Sequence, residues 1–330
     1  MIHPEHFCAD LTSAQAAELF KKSVRSVEIS ISSYCNRRCP YCPNSKADRI
    51  SQRNFMSDDL FLSVMRQLCR IDYANEIALN RFNEPLADRD YAMKRIREIR
   101  AFLPKAKITV FTNGDYLDAS YVRELGAAGV SWVMATMHEP PGGATYAEVV
   151  EAQERFIQRI GLPHTVVSDE PEVARLVYLQ TGTAMGFSLW ARNFHRRDSD
   201  GVLWMQDRGQ SMPVDKGMLR TTPCYIPFVQ LQIEWDGELL PCCQIQPDVF
   251  AKGQYTLGRL TAASDIFLEW TNRNYLQWRN ELFSYEAKKA PCATCNYGGM
   301  AVETPALREM VADWRRTLQL DRHKAEALCA

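Results

Sequence analysis

The chain has 330 residues, with 39 Lys plus Arg against 40 Asp plus Glu, a net charge of -1, and 46% hydrophobic against 24% charged residues. This length favours two domains over one, the apolar content supplies a core and excludes general disorder, and the even charge argues against a nucleic-acid surface, which needs clustered Lys and Arg. No apolar run reaches the ~20 residues of a membrane span. The first 20 residues, interrupted by His3, Glu5, His6 and Asp10, lack the apolar segment of a signal peptide. The expected location is therefore cytoplasmic, where thiols stay reduced, so that 11 cysteines point to metal binding or chemistry rather than bridges.

In chain order, residues 1–23 read as an N-terminal extension with one short amphipathic stretch at 11–22. From 24 to 205, apolar runs at 27–31, 76–79, 108–111, 132–135, 165–167 and 187–190 alternate with helical patterns. The first helix opens at Ser57, a capping residue followed by Asp58 and Asp59, whose charges suit the helix dipole, and runs to Cys69 among apolar neighbours. Further helices are expected at 88–102, 118–128, 145–160 and 171–179. Six strand–helix units imply an α/β fold with a parallel sheet, because parallel neighbours need crossover connections. Such folds place chemistry at strand C-termini.

Residues 193–223 show no period and read as a linker. The remainder, within 206–330, is expected to form a small α+β domain. A strand at 228–235 is followed by the turn Asp236-Gly237 and a returning strand at 238–241, a hairpin signal. Helices are expected at 263–285, with Ile266, Phe267, Trp270 and Trp278 on one face, and at 305–328.

Cys35-x3-Cys39-x2-Cys42 follows the first strand. Structural zinc wants four closed ligands, and no fourth Cys or His is near. Three thiolates holding a [4Fe–4S] cube leave one iron open, which suits catalysis rather than plain electron carriage. With Tyr41 before the last cysteine, this segment resembles the cluster motif of the radical S-adenosylmethionine (radical SAM) superfamily. The resemblance continues in Asn83-Glu84-Pro85 after the second strand, where the family has a Gly-Glu-Pro-like segment contacting the methionine amino group of SAM, and in Thr112-Asn113-Gly114 after the third. Asn83 departs from the usual Gly.

The resemblance implies a partial (β/α)6 barrel. It also implies a cluster-bound SAM, cleaved reductively to a 5'-deoxyadenosyl radical that takes a hydrogen atom from substrate. Tyr41, Asn83, Glu84, Pro85, Thr112 and Asn113 are the SAM-binding candidates carried over from these motifs. Thr136 and His138 at the fourth strand, Ser168 at the fifth and Arg192 at the sixth join them by position. His138-Glu139 equally suits an acid–base pair.

Cys224-x12-Gly237-x4-Cys242, followed by Cys292-x2-Cys295, resembles the opening of the SPASM extension of this superfamily in its shorter, twitch-like form. That resemblance implies one fully ligated auxiliary [4Fe–4S] cluster on Cys224, Cys242, Cys292 and Cys295; a structural zinc on the same four residues is the competing assignment. Cys69 is expected in the core, Cys8 and Cys329 as incidental, and Cys243 as packing, a substitute ligand or a hydrogen-atom donor.

An auxiliary cluster beside the radical site suits oxidation of an alcohol to a ketone, with the cluster as electron acceptor. The substrate is expected to be a sugar or aminocyclitol. Epimerisation with Cys243 as donor, and maturation of a ribosomally made peptide, are the alternatives within the family, and a non-catalytic iron–sulfur electron carrier or redox sensor is the alternative outside it. Only 34 residues precede Cys35, which argues against a fused leader-peptide domain of about 80 residues. An external reductant such as flavodoxin or ferredoxin is implied, with neither nucleic acid nor membrane as partner.

Overall fold

The computed structural model describes residues 2–138, 145–194, 206–213 and 219–295, together with Tyr297 and Glu309. In chain order these residues form α1 (Ser13–Ser23), β1 (Ser26–Ile29), α2 (Asp58–Arg70), β2 (Glu76–Ala78), α3 (Arg89–Phe102), β3 (Lys107–Thr112), α4 (Ala119–Ala127), β4 (Trp132–Met137) and α5 (Tyr146–Ile160). They continue with β5 (His164–Glu170), β6 (Ala174–Leu179), β7 (Gly186–Arg192), α6 (Ile226–Val229), β8 (Gln230–Ile233), β9 (Glu238–Leu240), β10 (Gly258–Arg259), α7 (Ile266–Trp270) and α8 (Arg273–Leu282).

All ten strands join one sheet in the order β10-β9-β8-β1-β2-β3-β4-β7-β6-β5. Strands β1, β2, β3, β4 and β7 run parallel to their neighbours in that order, and β8 runs parallel to β1 on the other side. Every residue of β1 is buried, as a strand covered on both faces requires. The α/β architecture with a parallel sheet is the one expected, and it aligns the ends of β1 to β4 and β7 on one rim.

The helices begin where short polar side chains can accept the first free N–H groups. Ser57 accepts from Leu60, Asp88 from Tyr91 and Asp118 from Tyr121, while Thr145 and Glu148 form a reciprocal capping box. In α2 the buried face is Leu60, Phe61, Val64, Met65, Gln67 and Leu68. Cys69 is exposed, contrary to its expected place in the core, because it lies one helical step beyond Leu68.

Two other expectations change, and a third is not tested. Residues 174–179 form a strand, not a helix: Glu172 has φ +59°, which no helix accommodates, and the chain turns back so that β6 pairs antiparallel with both β5 and β7. The fifth strand–helix unit is thus replaced by a hairpin, with β5 at the sheet edge. The expected long helix at 263–285 is divided at Thr271-Asn272, where Asn272 caps α8 by accepting from Asn274 and Tyr275. The expected helix at 305–328 lies outside the described residues.

The Asp236-Gly237 turn is present: Gly237 has φ +85°, and a Cβ there would stand 2.2 Å from the Leu260 carbonyl oxygen, so only glycine fits. Among the described residues no helix is long and apolar enough to cross a membrane.

Candidate active site

Beyond β1 the chain wraps as a loop carrying Cys35, Cys39 and Cys42. Backbone bonds shape it: Cys35 N–H donates to Arg49 O (3.0 Å) and Cys42 N–H to Cys39 O (2.9 Å). All three thiols are free and line one cavity of about 410 Å³ at the rim of the parallel strands. Burial pushes the Cys35 thiol up to about 12 and Cys39 to about 11, with the neighbouring cysteines adding to the effect. Thiols held so are poor anions alone and become thiolates when a cationic iron binds them.

The second motif anchors the second strand to the third. Glu84 accepts from Thr112 Oγ1 (2.6 Å), Asn113 N–H (2.7 Å) and Leu86 N–H (3.1 Å). Burial raises its pKa to about 7 against those three bonds, which favour the anion. Asn83, Glu84, Thr112 and Asn113 line the cavity, whereas Pro85 faces a separate small pocket with Tyr34 and Tyr91.

Five buried side-chain atoms among the lining residues have no hydrogen-bond partner: Glu28 Oε2, Asn44 Oδ1, Arg208 Nε and, close together in sequence at the second motif, the acceptor Asn80 Oδ1 and the donor Asn83 Nδ2. An acceptor and a donor left over in a buried cavity fit a polar ligand such as the amino-acid end of SAM.

On the opposite wall, Tyr41 stacks on Phe194 with centroids 3.9 Å apart, and its hydroxyl lies 2.7 Å from His138 Nδ1. Burial, with Arg37 nearby, lowers the His138 pKa to about 3, so the ring is neutral at pH 7. Arg37 makes a bidentate pair with Asp115 (2.7 and 2.6 Å) and donates to the His138 carbonyl (3.2 Å). This ties the cluster loop to the ends of β3 and β4. Thr136 and Arg192 also line the cavity. Ser168 is not brought there, because β5 is the edge strand of the hairpin, two strands beyond β7. Glu139 lies outside the described residues.

Cys224, Cys242, Cys292 and Cys295 converge around a second, smaller cavity, and all four are free thiols. Cys224, Cys292 and Cys295 all raise the pKa of Cys242, and Cys224 and Cys295 that of Cys292, which places them close together. Among the described residues no three Cys, His, Asp or Glu side chains draw close enough to hold a single metal ion. Four cysteines around one cavity match the ligand count of a fully ligated [4Fe–4S] cube. Gln244 and Tyr297 line both this cavity and the larger one, and Cys243 lines the larger one.

Several lining residues went unnoticed in the sequence: Glu28, Arg37, Arg81, Phe194, Arg208 and Tyr297. Only Glu28 carried a signal, as a lone charge inside the apolar run 27–31. The others sit in loops, where no period marks a direction.

The fold and the two sets of cysteines define an enzyme class that pairs an open, three-cysteine cluster with a four-cysteine auxiliary site. The radical SAM superfamily profile matches residues 29–167, and that of an iron–sulfur cluster-binding domain, SPASM, matches residues 224–296. The chain carries a radical SAM domain followed by a SPASM-type iron–sulfur domain. These two domains imply a [4Fe–4S] cluster that works with S-adenosylmethionine and an auxiliary cluster.

Among curated proteins, the S-adenosyl-L-methionine-dependent 2-deoxy-scyllo-inosamine dehydrogenase of Niallia circulans is 30% identical over 112 residues, 34% of this chain and 44% of the relative. The aligned part is thus less than half of that relative. Two solved structures share the fold. BtrN in complex with AdoMet and 2-DOIA is 20% identical, with a TM-score of 0.54, covering 85% of this chain and 95% of that one. Selenomethionine BtrN in an open conformation is 19% identical, with a TM-score of 0.51, covering 83% and 92%.

Proposed function

We propose that this radical SAM enzyme is an oxidoreductase that dehydrogenates an alcohol carbon of a small polar molecule, a sugar or aminocyclitol, with the core at residues 24–205 and the auxiliary-cluster domain at 206–330. The observation that carries this reading is the shared wall: Gln244 and Tyr297 line both the cavity of Cys35, Cys39 and Cys42 and that of the four C-terminal cysteines. A substrate in the larger cavity therefore lies one layer of side chains from the auxiliary site. The name of the Niallia circulans relative supports the same direction.

When bound, SAM and its cluster supply hydrogen-atom abstraction from carbon, and the auxiliary cluster supplies one-electron oxidation. The protein's residues do the rest. Tyr41, Asn83, Asn113, Thr136, His138 and Arg192 would hold SAM around the cavity, with Glu84 keeping the rim in register through Thr112. The Tyr41–Phe194 stack and the Arg37–Asp115 clamp keep the site packed against water.

Oxidising an alcohol removes a hydrogen atom from carbon, then an electron and the hydroxyl proton. Glu28 is placed to take that proton. It lines the cavity, is 9% exposed, and its Oε2 is buried without a partner.

A second reading, radical epimerisation, draws on one observation. Cys243 lines the cavity, and burial pushes its pKa up to about 11. It therefore keeps the S–H bond that a hydrogen-atom donor needs.

The test uses protein reconstituted with iron and sulfide, reduced, and given SAM with 2-deoxy-scyllo-inosamine. Matched yields of 5'-deoxyadenosine and a ketone support dehydrogenation. In deuterated water, deuterium at the reacting carbon, lost in Cys243→Ala, supports epimerisation instead. No 5'-deoxyadenosine under any condition overturns both.

A further inference from the structure

Two buried side chains of opposite charge flank the four-cysteine cavity, and neither belongs to the substrate site. Arg220 is 1% exposed and lines that cavity. Its guanidinium donates to the carbonyls of Thr222 (3.1 Å), Pro223 (2.7 Å), Cys295 (3.3 Å) and Tyr297 (2.7 Å), and Nη1 stands 3.9 Å from Cys295 Sγ. Among the described residues its hydrogen bonds go to carbonyls and that sulfur, and to no carboxylate. A buried cation answered only by carbonyls is costly. A four-thiolate cluster, which is net anionic, supplies its counter-charge.

Asp207 is also 1% exposed. It accepts from Thr294 Oγ1 (2.6 Å), the residue just before Cys295, and from Gly209 N–H (3.2 Å). Opposite charges thus meet the same ligand segment, Arg220 directly at Cys295 Sγ and Asp207 through Thr294 beside it.

We propose that Arg220 and Asp207 set the reduction potential of the auxiliary cluster, Arg220 raising it and Asp207 lowering it. Adding an electron makes the cluster more negative, so an adjacent cation stabilises the reduced form and an adjacent anion destabilises it. In the proposed dehydrogenation this opposition sets how readily the cluster takes the substrate's electron. The inference rests on the auxiliary-cluster assignment and not on the identity of the substrate.

The experiment isolates that cluster by changing Cys35, Cys39 and Cys42 to Ala in the full chain and reconstituting with iron and sulfide. Its midpoint is then read by redox titration followed by electron paramagnetic resonance. Arg220→Gln is expected to make reduction at least tenfold less favourable, a fall of about 59 mV for one electron. Asp207→Asn is expected to shift the midpoint the opposite way, and Arg220→Lys to stay nearer the parent than Gln.

Midpoints that do not move, or that move in one direction for both charge-removing variants, overturn the proposal, since a purely structural role changes cluster exposure without regard to sign. If Arg220→Gln fails to load iron, the rise expected for Asp207→Asn decides the matter. A parent protein that assembles no cluster overturns the cluster assignment and this inference with it, while leaving SAM cleavage by the wild-type chain separately measurable.

Discussion

At the residue scale, the rim of the site is held by a buried carboxylate whose two oxygens are both committed to hydrogen bonds. This is Glu84, whose oxygens face three donors from two segments. Replacing it by Gln turns one oxygen into a donor aimed at other donors. Glu84→Gln is expected to lower stability by about 1–3 kcal/mol, read from urea unfolding midpoints, and to weaken SAM binding through the loosened β2–β3 rim. His6 provides the pH-dependent case. It is fully buried between Phe228 and Trp270, and burial lowers its pKa to about 3 from 6.5. Its folded pKa is depressed, so the unfolded chain takes up the proton first as pH falls. The stability carried by the neutral ring is full above pH 6.5 and is lost progressively toward pH 3. By pH 5 the loss is about 2 kcal/mol. His6→Asn keeps an acceptor for the His3 N–H and removes this slope. Its stability is expected to fall less between about pH 7.5 and pH 5 than that of the wild type, measured by urea unfolding at each pH.

At the scale of elements, the hairpin of β8 and β9 delivers Cys242 to its site, and its turn tolerates no side chain. In Gly237→Ala the methyl group meets the Leu260 oxygen at 2.2 Å in a left-handed conformation. The variant is expected to lose more than ~1 kcal/mol and to retain less than the about four irons of one cluster when Cys35, Cys39 and Cys42 are also Ala. Unchanged iron content would mean that the turn does not position Cys242. The same scale explains what was legible. Ser57, Asp88, Asp118 and Thr145 announced their helices because capping is a local bond between neighbouring residues. Residues 174–179 were misread as a helix because their apolar content suits either state. The decision came from β7, which offered an unpaired edge, and from the turn at Glu172.

At the scale of the whole molecule, β1 lies between β2 and β8, so the SPASM-type part extends the same parallel sheet. Buried ion pairs reinforce the junction. Arg81 Nε stands 2.7 Å from Glu234 Oε1, and Arg49 Nη2 lies 3.6 Å from Glu234 Oε2 and 2.9 Å from Asp248. Removing the shared carboxylate leaves buried Arg81 without its carboxylate partner and Arg49 with Asp248 alone. Glu234→Ala is expected to cost about 3–5 kcal/mol and to weaken both parts together, in one transition seen alike by circular dichroism and fluorescence. Two separated transitions would show that the junction does not couple them.

The sequence by itself determined the chemistry-bearing segments of this protein: two cysteine sets, the polar segments at strand ends and the alternation that makes an α/β sheet. Those are encoded in spacing over a few residues, where chain geometry leaves little choice. Only the tertiary structure decided that Pro85 and Ser168 turn away from the cavity, that Glu28 and Arg37 face it, and that Arg220 and Asp207 bracket the auxiliary site. Which way a loop side chain points, and which distant charge it meets, depends on contacts between residues far apart in the chain, and no local period records them.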